Sequence, residues 1–421
     1  MPTMTIVARL LPVLLCGTAF AFGQSAPEQT LEQSLKSVRY DLQVSQQNEL
    51  SGSGLPVLSK AVDSAQFVLI GEDHLTMEIP QFVAAVCDLM APGGLNAMAV
   101  EAGPQAAKFV DDSFGKPDRV ARIAKLIKQY PDSVAFLNAR QENDLAAHCA
   151  HASHQSDFQL WGLDQEFLGA TGWLLDGILA THPGREAAKA VQHLQIKADQ
   201  DRVAAAKTGD PSKLFLLQPV DESDLSKTEE LLRKQGTPEA NSLFRELLVS
   251  HKIYRANVEG RHESNSMRAQ LLKENLRNNL DKEYAKRMHP RVLLKFGDWH
   301  LYKGFNPLHQ LDLGDYVAEI ADGQGASTLH ICILGARGVH ALYAGYGRPP
   351  ALQPFVMDED RDYRWIKPAM DSQVSSGWTM YDLRKMRFQK IAGLDPDFSR
   401  LIYGYDLLII VPELHPADMI N

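Results

Sequence analysis

Acidic residues and histidines gather at four points of this sequence, each just beyond a short apolar run. Phe67-Val68-Leu69-Ile70 leads into Gly71-Glu72-Asp73-His74, and Met98-Ala99-Val100 leads into Glu101. Phe158 to Leu163 is followed by Asp164 and Glu166, and Leu293-Leu294-Lys295-Phe296 by Gly297, Asp298 and His300. These residue types suit proton transfer. Histidine changes charge near neutral pH and serves as acid or base. A carboxylate beside it fixes its tautomer and supports its charged form. Gly71 and Gly297 let the backbone turn sharply, so that the following side chains point into a cleft. Crowding buried carboxylates raises the pKa of at least one of them. The candidate catalytic set is Glu72, His74, Glu101 and His300, with Asp73, Asp164, Glu166 and Asp298 in support. Glu72, His74, Glu101 and His300 are also candidate ligands of a divalent metal. A single acid after a strand commonly caps the next helix, so it is the recurrence, above all of the two histidines, that points to a site.

Something must bring the four points together. Short apolar runs closed by glycine or an acid read as buried strands, here at 66–70, 97–100, 158–163 and 291–296, with two more at 327–334 and 406–411. Helical patterns cover 78–90, 104–114, 117–130 and 138–154. Residues 172–288 are helical and highly charged, with no strand pattern. Strands separated by helices predict a three-layer α/β fold: a mostly parallel sheet, helices on both faces and a large helical insertion. In such sheets ligands bind at the carboxyl ends of the strands. If the four strands are parallel neighbours, their acids and histidines converge without further assumption. The α/β domain is assigned to 61–421. Residues 24–60 precede it, as a short helix over 27–40 and a flexible stretch around Ser51-Gly52-Ser53-Gly54.

The first 23 residues read as a secretory signal peptide: a short start ending at Arg9, an apolar run from Leu10 to Phe22, and small residues at Ala19 and Ala21. The run is too short to span a bilayer, and Leu15 before Cys16 argues against a lipidated cysteine. The expected location is periplasmic or secreted, with no transmembrane segment after cleavage. Three cysteines then remain, Cys87, Cys149 and Cys332, an odd and widely spaced set that is no disulfide framework and no zinc motif. Cys87 and Cys332 lie in apolar stretches and read as buried fillers; one bridge stays open, but nothing selects it. A net charge of −9 without a long basic block makes nucleic acid a poor partner. There is no Gly-x-Ser-x-Gly elbow, no Walker A loop, no Gly-x-Gly-x-x-Gly after a strand and no His-Glu-x-x-His helix. His148, His151 and His154 lie at helical spacing, which suits a metal or a solvated helix face equally.

The motifs resemble a known superfamily that joins erythromycin esterases, the haem-associated ChaN proteins and the TraB/TIKI group. The resemblance is carried by Phe67-Val-Leu-Ile-Gly-Glu-Asp-His74, by Met98-Ala-Val-Glu101 and by Leu293-Leu-Lys-Phe-Gly-Asp-Trp-His300. Trp161-Gly-Leu-Asp-Gln-Glu-Phe167, Glu263-Ser-Asn-Ser-Met267, Asp312-Leu-Gly314 and Asp382-Leu-Arg384 look like a secreted branch of it. The spacing to His74 looks more like the ChaN-type variant than the esterase variant. The resemblance implies that Glu72, His74, Glu101 and His300 share one site, with the first His activating water for attack on a macrolide lactone. The esterase pattern has an Arg shortly after that His. Here Leu75 to Pro80 holds none, which puts macrolide hydrolysis in doubt; Arg261, Arg268, Lys295 and Lys303 are candidates to replace its charge. The expected function is hydrolysis of an ester, lactone or amide of a small molecule, metal-free or metal-assisted. The alternative is a binding protein for haem or a metal ion without turnover, in which Tyr302, two residues beyond His300, could join as a haem ligand.

Overall fold

The computed structural model describes residues 28–155 and 157–420. The proposed leader therefore lies outside the described residues. One sheet is built from β1 (Arg39–Val44), β2 (Leu50–Ser51), β3 (Phe67–Glu72), β4 (Leu95–Val100), β5 (Gln159–Gly162), β6 (Arg291–Gly297) and β7 (Thr328–Gly335). A separate hairpin, β8 (Arg337–Leu342) with β9 (Ala351–Val356), follows, and β10 (Trp378–Asp382) and β11 (Leu407–Val411) complete the sheet. Its order is β2-β1-β10-β11-β7-β3-β6-β4-β5. The six strands from β11 to β5 run parallel, and the β2, β1 and β10 edge is joined by antiparallel pairings.

Alternation along β3 decides both faces. Val68 and Ile70 enter one core, with helices Glu78–Met90 and Arg140–Ala152 over it. Phe67 and Leu69 enter the other, under helices Glu263–Tyr284, Leu313–Gly323 and Pro396–Gly404. Burying each such side chain is worth about 1.5–3 kcal/mol, which fixes register strongly, because a one-residue slip would exchange the faces. The fold is thus the three-layer α/β arrangement expected. Helices between Thr171 and Tyr284 form the insertion and carry a small core of their own around Leu175, Phe215 and Phe244.

Two local expectations change. The helix near the start ends at Ser37, and Arg39–Val44 is β1 rather than helix and flexible chain. Tyr40 and Leu42 pair across to Met380 and Trp378, so tertiary pairing outweighs local preference there. Ser53 is held to Asp41 by its amide and hydroxyl, which ties down the Ser-Gly stretch. Cys87 is not a simple filler. It forms a disulfide with Cys149, joining helices Glu78–Met90 and Arg140–Ala152; Cys332 is buried and free. Among the described residues, no helix is long and apolar enough to cross a membrane.

Candidate functional site

The chain leaves β3 toward β4 on one side and leaves β6 toward β7 on the other. A crevice therefore opens at the carboxyl ends of β3, β6 and β4, where sheets of this kind bind ligands. Glu72 ends β3, Glu101 follows β4, and a short 3-10 turn over Asp298–Leu301 carries His300 past β6.

His74 is clamped between two carboxylates. Its Nδ1 lies 2.9 Å from Glu72 Oε1 and its Nε2 3.1 Å from Glu101 Oε2. The ring stacks on Phe136, centroids 4.2 Å apart, and its side chain is 27% exposed, so one edge stays open to the cavity. Burial pulls its pKa down, but the Glu101 charge and hydrogen bond, followed by Glu72, outweigh that and raise it to about 10. His300 is built alike. Its Nδ1 meets Asp312 Oδ2 at 2.8 Å and its Nε2 lies 3.5 Å from Glu101 Oε1. Burial opposes its charge, yet Glu101 and Asp312 raise its pKa to about 9. Asp312 does two jobs: its other oxygen caps the helix Leu313–Gly323, so the helix start fixes the ring.

Glu101 is the hub. Its Oε2 accepts the Gly297 amide at 2.7 Å and its Oε1 accepts from Arg268 at 2.6 Å. Burial pushes its pKa up, but His74, His300 and Arg268 together hold it well below the usual range. Arg268 reaches in from the helical insertion and also forks onto Asp164. Gly297 is required by close approach: a Cβ there would lie 2.9 Å from His74 Nε2 and 3.3 Å from Glu101 Oε2. Beneath the site Lys295 bonds Glu72 and, at 2.8 Å, Glu142. Burial alone would push Glu72 up; Lys295 and His74 hold it down. Burial and the Glu72 charge push Glu142 up against Lys295.

Above these groups lies a cavity of about 880 Å³, mostly apolar. Leu75 and Phe136, beside His74, have φ of 59° and 58°. That left-handed backbone costs a residue other than glycine of order 1–3 kcal/mol and clusters at functional sites.

No family model matches the chain, and no curated protein matches it. Solved structures do. A mutant erythromycin esterase, EreC, in its open conformation superposes with a TM-score of 0.59 at 15% identity, covering 91% of this chain and 99% of that one. The fold resembles that of an erythromycin esterase. A Bacillus cereus protein superposes at 0.55 with 15% identity, covering 92% and 98%. A succinoglycan biosynthesis protein does so at 0.56 with 14% identity, covering 93% and 98%. At such identities the likeness is one of fold.

Glu72, His74, Glu101 and His300 come together, and Asp73 and Asp298 line the same cavity. Burial raises Asp298 to about 7 against the Tyr363 hydroxyl bonded to it. Asp73 bonds His340 of the β8–β9 hairpin at 2.7 Å, a residue that sequence reading missed. Asp164 supports the site through a cation, holding Arg268. Glu166 stands apart: buried, it accepts the Gln105 amide at the start of helix Pro104–Asp111, and burial raises it to about 8. Of the candidate cations, Arg268 and Lys295 reach the site. Lys303 pairs with Asp406, and Arg261 with Glu259. Tyr302 is 2% exposed and packs on Tyr405, out of reach of any cavity ligand.

Among the described residues, no three His, Cys, Asp or Glu side chains are arranged to hold a metal, including the His148, His151 and His154 set. At the candidate site the acids already face Arg268, Lys295 and the two rings, so the arrangement does not fit the metal ligation expected for it. Phe136, Glu142, Tyr363 and Asp312 are further site residues without a role in the sequence reading, although the Asp312-Leu-Gly314 setting was visible.

Proposed function

We propose that this chain belongs with the erythromycin-esterase-like group and hydrolyses an ester, lactone or amide of a small molecule with an apolar body. The observation that carries this is the His74 ring held between Glu72 and Glu101 at the floor of a large apolar cavity. The cavity volume is in the range of small-molecule sites.

The directions of the pKa shifts support one division of roles. Glu101 and Glu72 raise the pKa of His74 to about 10, which favours its charged form at neutral pH. His74 therefore starts as a charged donor, and Glu101 starts as the acceptor. Water against Glu101 attacks the carbonyl carbon and gives its proton to that carboxylate only transiently, because His74, His300 and Arg268 keep the proton affinity of Glu101 low. His300, also charged, donates a hydrogen bond to the carbonyl oxygen as negative charge develops there. His74 protonates the leaving oxygen or nitrogen, and the proton on Glu101 then returns to His74 across the 3.1 Å contact. Glu72, set by Lys295, keeps the ring oriented. The Cys87–Cys149 disulfide supports a further part of the reading, that the protein works in an oxidising compartment, periplasmic or secreted.

The test is a panel of apolar esters, lactones and amides assayed with the wild type, His74→Ala and Glu101→Gln. Loss of roughly 10²–10⁴-fold in kcat is expected in both variants, read at a temperature where each is folded, because Glu101→Gln strands buried cations and lowers stability. The pH profile decides the roles: rate holds through neutral pH and falls above about 9, where His300 loses its proton. A rate that climbs toward pH 10 would make neutral His74 the base instead. Undiminished turnover in both variants would sink the reading.

A further inference from the structure

At the end of the sheet away from the cavity, the surface is basic and apolar at once. Asp382 ends β10 and Asp406 precedes β11, and the two strands pair antiparallel. Both acids therefore sit at the amino end of β11, whereas the cavity opens at the carboxyl ends of its parallel neighbours. Four cations share these two carboxylates. Lys303 and Arg387 pair with Asp406, and Arg384 and Lys385 with Asp382. Lys390 follows and is exposed. Burial, and then the Arg387 and Arg384 charges, pull the Lys303 pKa down against Asp406. The acids of the adjoining helix Pro396–Gly404 lie at its other end, Asp395 as its cap and Asp397 paired with Arg400. The patch is thus locally positive in a chain whose net charge is −9.

Three aromatic side chains stand out to solvent there: Phe388 is 90% exposed, Tyr403 59% and Phe305 59%. Arg387 and Lys303 bring them to one edge. The Arg387 guanidinium donates to the Ile402 and Tyr405 carbonyls, on either side of Tyr403, and Phe388 is the next residue. The Lys303 amide donates to the Gly404 carbonyl, and Phe305 is two residues on. Scattered exposed apolar residues are ordinary, but aromatic rings grouped with unshared positive charge mark an interaction surface. The start of the described chain lies here too. Gln29 pairs with Ile391, bonding the backbone of Lys390 and Ala392. The apolar run Leu10 to Phe22 ends seven residues before Gln29, at most about 25 Å of extended chain. A bilayer that takes up that run meets this face.

We propose that this patch docks the protein on an anionic phospholipid bilayer. Phe388, Tyr403 and Phe305 enter the headgroup region, where aromatic rings are favoured, and Arg384, Lys385 and Lys390 face the lipid phosphates. The cavity mouth, at the opposite end of the sheet, stays open to water. This goes beyond the hydrolase reading and does not depend on it.

The test is flotation of residues 24–421, which include every described residue, with vesicles of phosphatidylcholine alone or mixed one to one with phosphatidylglycerol. Binding is expected to be at least about 10-fold tighter to the anionic vesicles and to weaken as salt is raised. Phe388→Ser and, separately, Lys385→Gln/Lys390→Gln should each weaken it at least about threefold. All three side chains are exposed, so the fold survives their loss. Ile196→Ser, which removes a side chain 61% exposed on the insertion, should change nothing. Equal binding to both vesicles, no binding, or undiminished binding by both patch variants overturns the proposal. Loss of vesicle binding in millimolar inorganic phosphate at constant ionic strength assigns the cations to free phosphate and overturns it too. So does a dimer in sedimentation that Phe388→Ser splits, which assigns the patch to a second copy of the chain.

Discussion

His74 draws its character from three neighbours and one missing atom. Glu72 and Glu101 hold both nitrogens, Phe136 covers one face of the ring, and the hydrogen side chain of Gly297 leaves room for the ring edge. Alanine at Gly297 would force His74 Nε2 or Glu101 Oε2 to move by a few tenths of an ångström or more. Gly297→Ala is expected to lower kcat by up to about 10²-fold, the cost of a full 1 Å displacement at a reacting centre being the upper bound. Stability should fall by only about 1–3 kcal/mol, the usual cost of overpacking. Kinetics together with urea unfolding check this; a normal kcat would show that the ring is not held as tightly as its contacts imply.

At the scale of elements, β6 supplies two of the site's devices from one face. Lys295 and Gly297 are two residues apart and so point the same way, Lys295 toward Glu72 and Glu142, Gly297 toward His74. Lys295 bonds two buried carboxylates across three elements, β3, β6 and the helix Arg140–Ala152. Removing one partner of a buried ion pair costs about 3–5 kcal/mol, because the remaining charge is stranded. Lys295→Met should therefore lower the free energy of unfolding, read from urea denaturation, by an amount of that size. Adding Glu142→Gln to it should recover part of the loss, since one stranded acid is then gone. A double variant no more stable than the single would show that Glu142 carries no charge in this triad.

At the scale of the molecule, the disulfide and the insertion set how the site is framed. Cys87 and Cys149, 62 residues apart in sequence, close a loop that contains Glu101, Phe136 and Glu142. Chain-entropy reasoning gives such a cross-link about 4 kcal/mol. Paired substitution Cys87→Ala/Cys149→Ala should lower stability toward that value, measured by denaturant unfolding. Treating the wild type with a reductant should do the same, while Cys332→Ala leaves the reductant effect intact. An unchanged midpoint in the paired variant would mean that the two helices are held by packing alone. The insertion acts differently: through Arg268 it places a cation on Glu101 from more than 160 residues away in sequence.

The residues alone determined a good deal. Short apolar runs closed by glycine or an acid predict β3, β4, β5 and β6, and with them a parallel α/β sheet whose carboxyl ends gather Glu72, His74, Glu101 and His300. Those signals are local and written in residue type. Partners were another matter. Which cation faced Glu101, which acid held His300, and where Asp164 and Glu166 pointed depended on helix placement over the sheet, and no spacing encodes that. Glu166 looked like a site residue because it follows a strand, but it turns to a helix start. The β8–β9 hairpin was illegible because its strands are mostly exposed and lack a core-facing alternation, so His340 went unseen. The cysteine pairing likewise needed two helices laid side by side. Sequence pattern specifies which faces are buried; only the packed chain decides which buried charges meet, because those meetings are set by long-range contacts and the cost of leaving a charge unpaired.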